Sequence, residues 1–130
     1  MKKLFFIATV LMAILVSASC SKSSDNEPES KDEYYVKYEA TNTTRYTGDV
    51  SEITITTDGG LKTFIGGRNF TETFGPVKKG FVAKITCTNK AHSNTSIIVA
   101  IHVSKNNGPF ALKETVSGTE SASASYTIDF

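Results

Sequence analysis

The sequence predicts an all-β domain at residues 34–130, folded as an antiparallel, immunoglobulin-like β-sandwich of about seven to eight strands. Apolar and polar residues alternate with the period of two that is typical of half-buried strands. Turn-forming residues recur about every ten positions, and no segment of the domain has the apolar spacing of an amphipathic helix. Short connections favour antiparallel pairing. A two-sheet sandwich is favoured over a closed barrel with an interior cavity, which usually needs a longer chain.

Residues 1–19 have the layout of a secretory signal peptide. Met1-Lys2-Lys3 is positively charged, residues 4–16 are almost entirely apolar, and residues 17–19 are small. The apolar run is shorter than the roughly 20 residues that a membrane-spanning helix needs. We therefore expect this segment to direct export and to be removed.

Cys20 follows these small residues directly, and the stretch resembles the lipobox of bacterial lipoproteins. The resemblance implies that diacylglycerol is attached to the Cys20 sulfur, that the chain is cut just before Cys20, and that the new N-terminus is acylated. Most lipoboxes have Leu three residues before the Cys, where this chain has Ser17. Each buried methylene contributes about 0.8 kcal/mol to membrane binding, so several acyl chains would anchor the protein permanently.

The lipidated Cys20 and a tether are predicted to occupy residues 20–33. Residues 21–33 contain no aromatic or branched aliphatic residue and carry two basic and five acidic side chains, which predicts disorder. Acidic residues soon after a lipidated Cys resemble the surface-export signal of Bacteroidetes lipoproteins. This resemblance implies an outer-membrane lipoprotein displayed on the cell surface, and a periplasm-facing position is the alternative.

Five segments of the domain have the strand pattern most clearly, namely 34–40, 50–57, 81–89, 96–104 and 121–130. The apolar face of each is predicted to point into the core: Tyr34, Val36, Tyr38, Ala40, Ile53, Ile55, Phe81, Ala83, Ile85, Cys87, Ile97, Val99, Ile101, Val103, Ala122, Ala124, Tyr126, Ile128 and Phe130. Ile98, Ala100 and His102 occupy the other face of 96–104, so that strand is predicted to be central and more deeply covered.

Shorter strands are predicted at about 62–66, 69–74 and 109–116. Turns are predicted between the strands, among them Gly75-Pro76 and Ser117-Gly118. Gly and Pro are the strongest local signals for a turn.

The strand pattern also resembles the extracytoplasmic domain of MmpS-type membrane proteins. The resemblance covers most of residues 36–128 and includes Val36–Ala40, Ile53–Thr56, Gly80–Thr86 and Ile101–Val103. Those domains are small β-sandwiches that assist a lipid exporter, so the resemblance implies a sandwich and an accessory role in export. The family typically has a cysteine pair, whereas this domain has Cys87 alone.

Charge and ligand content argue against several function classes. Residues 34–130 carry ten basic and eight acidic side chains without a long basic run, so nucleic acid is not expected as a partner. Two histidines and no cysteine pair do not supply the ligands of a zinc site. Asp58-Gly59-Gly60 lacks the acidic repeat of a calcium loop. We therefore predict neither a metal nor a cofactor.

No residue is predicted to be catalytic. Cys87 alternates inward with Phe81 and Ile85, so it is predicted to be a buried apolar side chain, and His102 is predicted to be a hydrogen-bonded residue of a sheet. The alternative is a small Cys-dependent enzyme in which Cys87 pairs with His92. Such an enzyme needs an exposed thiol in an electropositive setting.

Four phenylalanines and one arginine lie on short predicted strands or beside turns: Phe64, Arg68, Phe70, Phe74 and Phe110. Aromatic and Arg side chains concentrate binding energy at interfaces, and loops on a rigid sandwich often carry recognition residues. These residues form the predicted binding surface; the alternative is that they fill the ends of the core.

We therefore predict a lipid-anchored protein of the bacterial cell envelope that acts as a non-enzymatic binding or accessory module for a protein partner or glycan. A structural subunit of an envelope export complex is the alternative.

Overall fold

A computed structural model of the chain describes residues 31–43, 50–90 and 94–130. These residues contain no helix, and hence none that is long and apolar enough to cross a membrane. They form eight strands: β1 (Tyr34–Asn42), β2 (Ser51–Thr57), β3 (Gly60–Gly66), β4 (Asn69–Val77), β5 (Val82–Asn89), β6 (Ser96–Lys105), β7 (Ala111–Thr119) and β8 (Ser121–Thr127). Lys31–Phe130 is one compact unit.

The strands form two four-stranded sheets. Sheet A has the order β4-β1-β6-β7, and sheet B has the order β3-β2-β5-β8. Every neighbouring pair is antiparallel. The prediction of an all-β, two-sheet antiparallel sandwich is therefore confirmed.

The core lies between the two sheets and is built from the predicted apolar faces. Fully buried side chains come from all four central strands, for example Tyr38 on β1, Ile53 on β2, Ile85 on β5 and Ile101 on β6. Phe81 and Tyr126 are half-buried. Phe130, which is predicted to point inward, is exposed because it lies beyond the end of β8.

A hydrogen bond joins the two sheets across the core. The Tyr38 hydroxyl of β1 donates to the Thr56 carbonyl oxygen of β2 at 2.7 Å. Burial raises the pKa of Tyr38 far above the usual range of a phenol, so the hydroxyl stays protonated and available as a donor.

β6 is central in sheet A, as predicted, because β1 and β7 pair with its two sides. The prediction that β6 is more deeply covered holds for Ala100 and His102, which are half-buried, whereas Ile98 on the same outer face is 40% exposed. Among the described residues, sheet B packs against the inner side of sheet A, and one solvated face is common in antiparallel sheets.

Two predicted turns, Gly75-Pro76 and Ser117-Gly118, lie inside β4 and β7 instead. Pro76 is tolerated because β4 is an edge strand. A Cβ on Gly75 would lie 2.8 Å from the Tyr34 carbonyl oxygen, and a Cβ on Gly118 would lie 1.9 Å from that of Ser121. Gly75 therefore allows close approach of the β1 backbone, whereas Gly118 allows the tight connection from β7 to β8 at Glu120.

Candidate functional site

The outer face of sheet A carries a group of side chains that we name the sheet A patch. The strand register places Lys37 of β1 beside His102 of β6, and His102 beside Leu112 of β7. Antiparallel partners point to the same face, as do alternate residues along a strand. The patch comprises Lys37, Glu39, Ile98, His102, Phe110 and Leu112.

Glu39 is the centre of the polar part of the patch. Its two carboxylate oxygens lie 2.9 Å from Lys37 Nζ and 2.8 Å from His102 Nε2. The hydrogen bond from Lys37 lowers the pKa of Glu39, burial opposes this shift, and His102 lowers the pKa further. The carboxylate is therefore ionised at neutral pH and orients both neighbours. The prediction that His102 is a hydrogen-bonded residue of a sheet is confirmed.

Apolar side chains accompany this ion cluster on the same face. Leu112 is 55% exposed, Ile98 is 40% exposed and Phe110 is 39% exposed. Lys37 Nζ lies 5.6 Å from the Phe110 ring centroid, which is within range of a cation–π attraction. Exposed apolar side chains that share one face indicate a contact surface more strongly than scattered ones do.

The five predicted binding residues occupy two different parts of the sandwich. Phe64 of β3 and Phe70 of β4 meet with their ring centroids 5.0 Å apart, whereas Phe74 faces Phe81 at 6.4 Å. Phe64, Phe70 and Phe74 are partly buried against the core, which is what the alternative prediction of core filling requires. Phe110 lies apart from them, on the sheet A patch.

Arg68 is exposed in the connection between β3 and β4. Its carbonyl oxygen accepts a hydrogen bond of 2.7 Å from the backbone N–H of Asn42, which fixes this connection against the end of β1. The structure thus brings Phe64, Arg68 and Phe70 to one margin of the sandwich. Phe74 and Phe110 are not part of that group.

Cys87 of β5 is a free thiol that is only 1% exposed. Burial raises the pKa of Cys87, and a hydrogen bond with Ser51 offsets part of this shift. The thiol is therefore protonated at neutral pH, the opposite of what a nucleophilic cysteine needs. The prediction of a buried, apolar Cys87 is confirmed. His92, its partner in the enzyme hypothesis, lies outside the described residues.

Other predicted features also lie outside the described residues, namely the signal peptide, Cys20 and the tether up to residue 30. The described contacts begin within the last residues of the predicted tether. Asp32 lies 2.8 Å from Lys105 Nζ, and the Glu33 N–H donates to the Asn106 side-chain oxygen at 2.9 Å. In residues 31–43, 50–90 and 94–130, no three His, Cys, Asp or Glu side chains are grouped as a metal site would need.

Comparison of the chain with protein-family models, with curated proteins and with solved structures gives no match.

Four residues of the sheet A patch are not among the candidate site residues predicted from sequence: Lys37, Glu39, Ile98 and Leu112. A partial signal was present, because Lys37 and Glu39 alternate with buried residues of β1 and must face outward together. The position of Leu112 beside them depends on the order of strands in sheet A, which no local pattern predicts.

Proposed function

We propose that this protein is a lipid-anchored protein of the bacterial cell envelope, in the outer membrane, that acts as a non-enzymatic binding module. Its sheet A patch contacts a protein partner. The observation that carries this proposal is the exposure of Ile98, Phe110 and Leu112 around the Glu39 ion cluster. Lipid on Cys20 would hold the domain to the membrane, so these apolar side chains are available for another protein.

The composition of the patch suits a protein better than a glycan. Protein interfaces combine apolar side chains that lose water with charged groups that set orientation and specificity. Ile98 and Leu112 are aliphatic, and their exposed carbon atoms gain most from an apolar surface. A glycan would present mainly hydroxyl groups to them.

The expected affinity of the patch alone is modest. Fully burying a large apolar side chain contributes about 1.5–3 kcal/mol, and the three apolar side chains have about half of their surface left to bury. They therefore contribute roughly 1 kcal/mol each. Because association has its own entropic cost, further polar contacts or several simultaneous contacts are needed for stable binding.

The state of Cys87 supports a non-enzymatic role. A buried, protonated thiol on the inner face of sheet B cannot reach a substrate without opening the core. The MmpS-type resemblance implies that an exporter subunit is one candidate for the protein partner.

Photocrosslinking in cells tests the binding surface. A photoreactive amino acid replaces Leu112 in the full chain, and the control places it at Ser123, which is exposed on the outer face of sheet B. We expect a protein adduct at Leu112 that is absent at Ser123 and that is lost when Ile98→Asp is added. Equal adducts at both positions, or no adduct at Leu112 while the purified protein retains a glycan, would show that the protein-partner proposal is wrong.

Cell fractionation tests the anchor separately. We expect the parent to incorporate labelled fatty acid and to sediment with membranes, and Cys20→Ala to do neither, while Ser21→Ala behaves like the parent. A Cys20→Ala variant that stays firmly bound to membranes contradicts anchoring through this residue.

A further inference from the structure

The sandwich has four edge strands, and three of them have a feature that hinders pairing with another strand. β4 contains Pro76 and has an irregular register against β1. β7 has an irregular register against β6. β8 has neither feature, but β7 of the other sheet packs against it at this margin of the sandwich. Proline, charge, bulges and covering chain are the usual protections of sheet edges.

β3 lacks proline and bulges. All seven of its residues pair with β2 in unbroken register, and Lys62 is its only charged residue. Among the described residues, no strand pairs with the other side of β3. A regular edge without proline or a bulge is a template for adding a further strand.

β3 also carries the two most exposed large hydrophobic side chains of the described residues. Leu61 is 75% exposed and Ile65 is 67% exposed. Both lie on the outer face of sheet B, with Thr63 between them. Lys62 and Phe64 lie on the inner face of sheet B, where Lys62 Nζ is 4.9 Å from the Phe64 ring centroid.

The residue order of β3 is self-complementary. When the strand is paired antiparallel with a copy of itself about Thr63, Leu61 faces Ile65 and Lys62 faces Phe64. Each aliphatic side chain then meets another aliphatic side chain, and each ammonium group meets an aromatic ring. Such cross-strand pairs are the main stabilising contacts of a sheet.

The alternative registers are less favourable. A shift of two residues towards the start of β3 places Lys62 opposite Lys62 of the second copy, and directly opposed like charges destabilise a sheet. The opposite shift places Phe64 opposite Phe64, but it leaves Ile65 opposite Thr63 and Lys62 opposite Gly66, and Leu61 then faces no residue of the other β3. A shift of one residue turns the outer side chains of one strand towards the inner face of the other. The register centred on Thr63 is therefore favoured.

We propose that β3 is the site at which two copies of this chain associate. The two β3 strands pair antiparallel across a two-fold axis through Thr63, and the four strands of each sheet B join into one continuous sheet. An interface of this type uses the same surface of both copies and is closed, so assembly stops at the dimer. The contact is small, so association is weak in dilute solution and favoured where copies are concentrated.

Cysteine crosslinking in intact cells tests the pairing with the full chain. Directly opposed residues of antiparallel strands have Cα atoms about 4.5–5.5 Å apart, which is within the range of a disulfide. Thr63→Cys places two thiols at the axis. Thr73→Cys is the matched control, because it changes an exposed threonine on the other edge strand at this margin.

With a mild oxidant we expect a disulfide-linked dimer for Thr63→Cys and none for Thr73→Cys or the parent. No dimer for Thr63→Cys, or equal dimer in all three proteins, overturns the proposal. A purified parent that sediments as species larger than a dimer at rising concentration overturns the closed two-fold arrangement.

A pair of charge variants in the Thr63→Cys background tests the register. Leu61→Glu/Ile65→Glu places like charges opposite each other, whereas Leu61→Glu/Ile65→Lys places opposite charges there. Both change only exposed side chains. We expect the first to weaken dimer formation at least about tenfold and the second to restore most of it. Equal loss in both variants contradicts the proposed register.

Discussion

Removing one hydroxyl group tests how the two sheets are held together. Tyr38 is fully buried, and its hydroxyl donates to the Thr56 carbonyl oxygen at 2.7 Å. Tyr38→Phe keeps the ring and leaves this carbonyl without its donor. A typical hydrogen bond contributes about 0.5–1.5 kcal/mol, and an unpaired buried group costs about 1–3 kcal/mol. Because Thr56 is only half-buried, we expect the free energy of unfolding to fall by about 1–1.5 kcal/mol.

Urea unfolding of the chain from Ser21 to Phe130, followed by circular dichroism, measures this change. For a domain of about 100 residues, 1 kcal/mol corresponds to a shift in Tm of about 4–8 °C. Tyr126→Phe is the matched control, because its hydroxyl bonds Asp129 at 2.9 Å in an exposed position, and we expect a change below about 0.5 kcal/mol. If Tyr38→Phe costs no more than Tyr126→Phe at an unchanged m-value, the inter-sheet hydrogen bond does not stabilise the sandwich.

Alkaline pH provides a second signature of the same group. Burial raises the pKa of Tyr38 in the folded protein, whereas the unfolded phenol titrates near about pH 10. The neutral Tyr38 phenol therefore makes its full contribution to the unfolding free energy below about pH 10, and this contribution is lost as the pH rises towards the pKa of Tyr38 in the folded protein. We expect the unfolding free energy of the parent to fall more steeply above about pH 10 than that of Tyr38→Phe, by up to about 1.4 kcal/mol per pH unit.

Three further predictions concern other parts of the domain. Gly118→Ala introduces a Cβ that clashes with the Ser121 carbonyl oxygen, whereas the Cβ of Gly67→Ala meets nothing within 4 Å. In urea unfolding, the unfolding free energy should fall by more than about 2 kcal/mol for Gly118→Ala and by less than about 0.5 kcal/mol for Gly67→Ala. Equal losses would contradict the close approach of Gly118 to Ser121. Cys87 should react with a thiol reagent only as the domain opens, so its labelling rate should rise in parallel with unfolding in urea, and rapid labelling in native buffer would favour the enzyme hypothesis. Glu39→Gln should cost at most about 1 kcal/mol, because exposed ion pairs contribute little. The pKa of Glu39 is lowered in the folded protein, so the parent should be more stable than Glu39→Gln above the unfolded pKa of about 4.3, and this difference should disappear as the pH falls through the folded pKa. A difference in unfolding free energy that persists at about pH 2 would show that the Glu39 carboxylate is not its source.

The sequence predicts most clearly the strands in which one face is buried along the whole length. β1, β2, β5 and β6 lie inside their sheets, and the burial of alternate residues produces a strict period of two. β7 is an edge strand with few buried side chains, so its pattern is weak and the predicted end at residue 116 is three residues short. The turn predicted at Ser117-Gly118 precedes the actual connection at Glu120 by two residues, because Gly118 gives the turn signal while it still pairs with Ile97 of β6.

The candidate site was harder to predict because it is assembled from segments that are distant in the chain. The position of Phe110 beside a turn predicts a binding residue, but its neighbour Lys37 belongs to β1 and comes near only through the pairing of β1 with β6. The contact between Glu39 and His102 depends on the same pairing. Local patterns predict which face a side chain occupies, whereas strand order decides its neighbours.

The sheet A patch and the proposed pairing of β3 are geometrically compatible. β3 lies beside β4, where Phe64 meets Phe70, whereas Leu112 belongs to β7 at the opposite margin of sheet A. Pairing through β3 therefore leaves the patch uncovered. A two-fold axis perpendicular to sheet B does not reverse the direction that either sheet faces, so the patches of both copies face the same way.

Two patches that face the same way can bind a repeated or membrane-anchored partner together, which raises the apparent affinity about 10²- to 10⁴-fold without any new contact. Such a gain would compensate for the modest contribution of Ile98, Phe110 and Leu112 in a single copy. Leu61→Glu/Ile65→Glu leaves the patch itself unaltered, yet we expect it to lower the yield of the photocrosslinked adduct at Leu112. If the yield stays the same while the Thr63→Cys dimer is lost, each copy binds its partner on its own, and the two surfaces act independently.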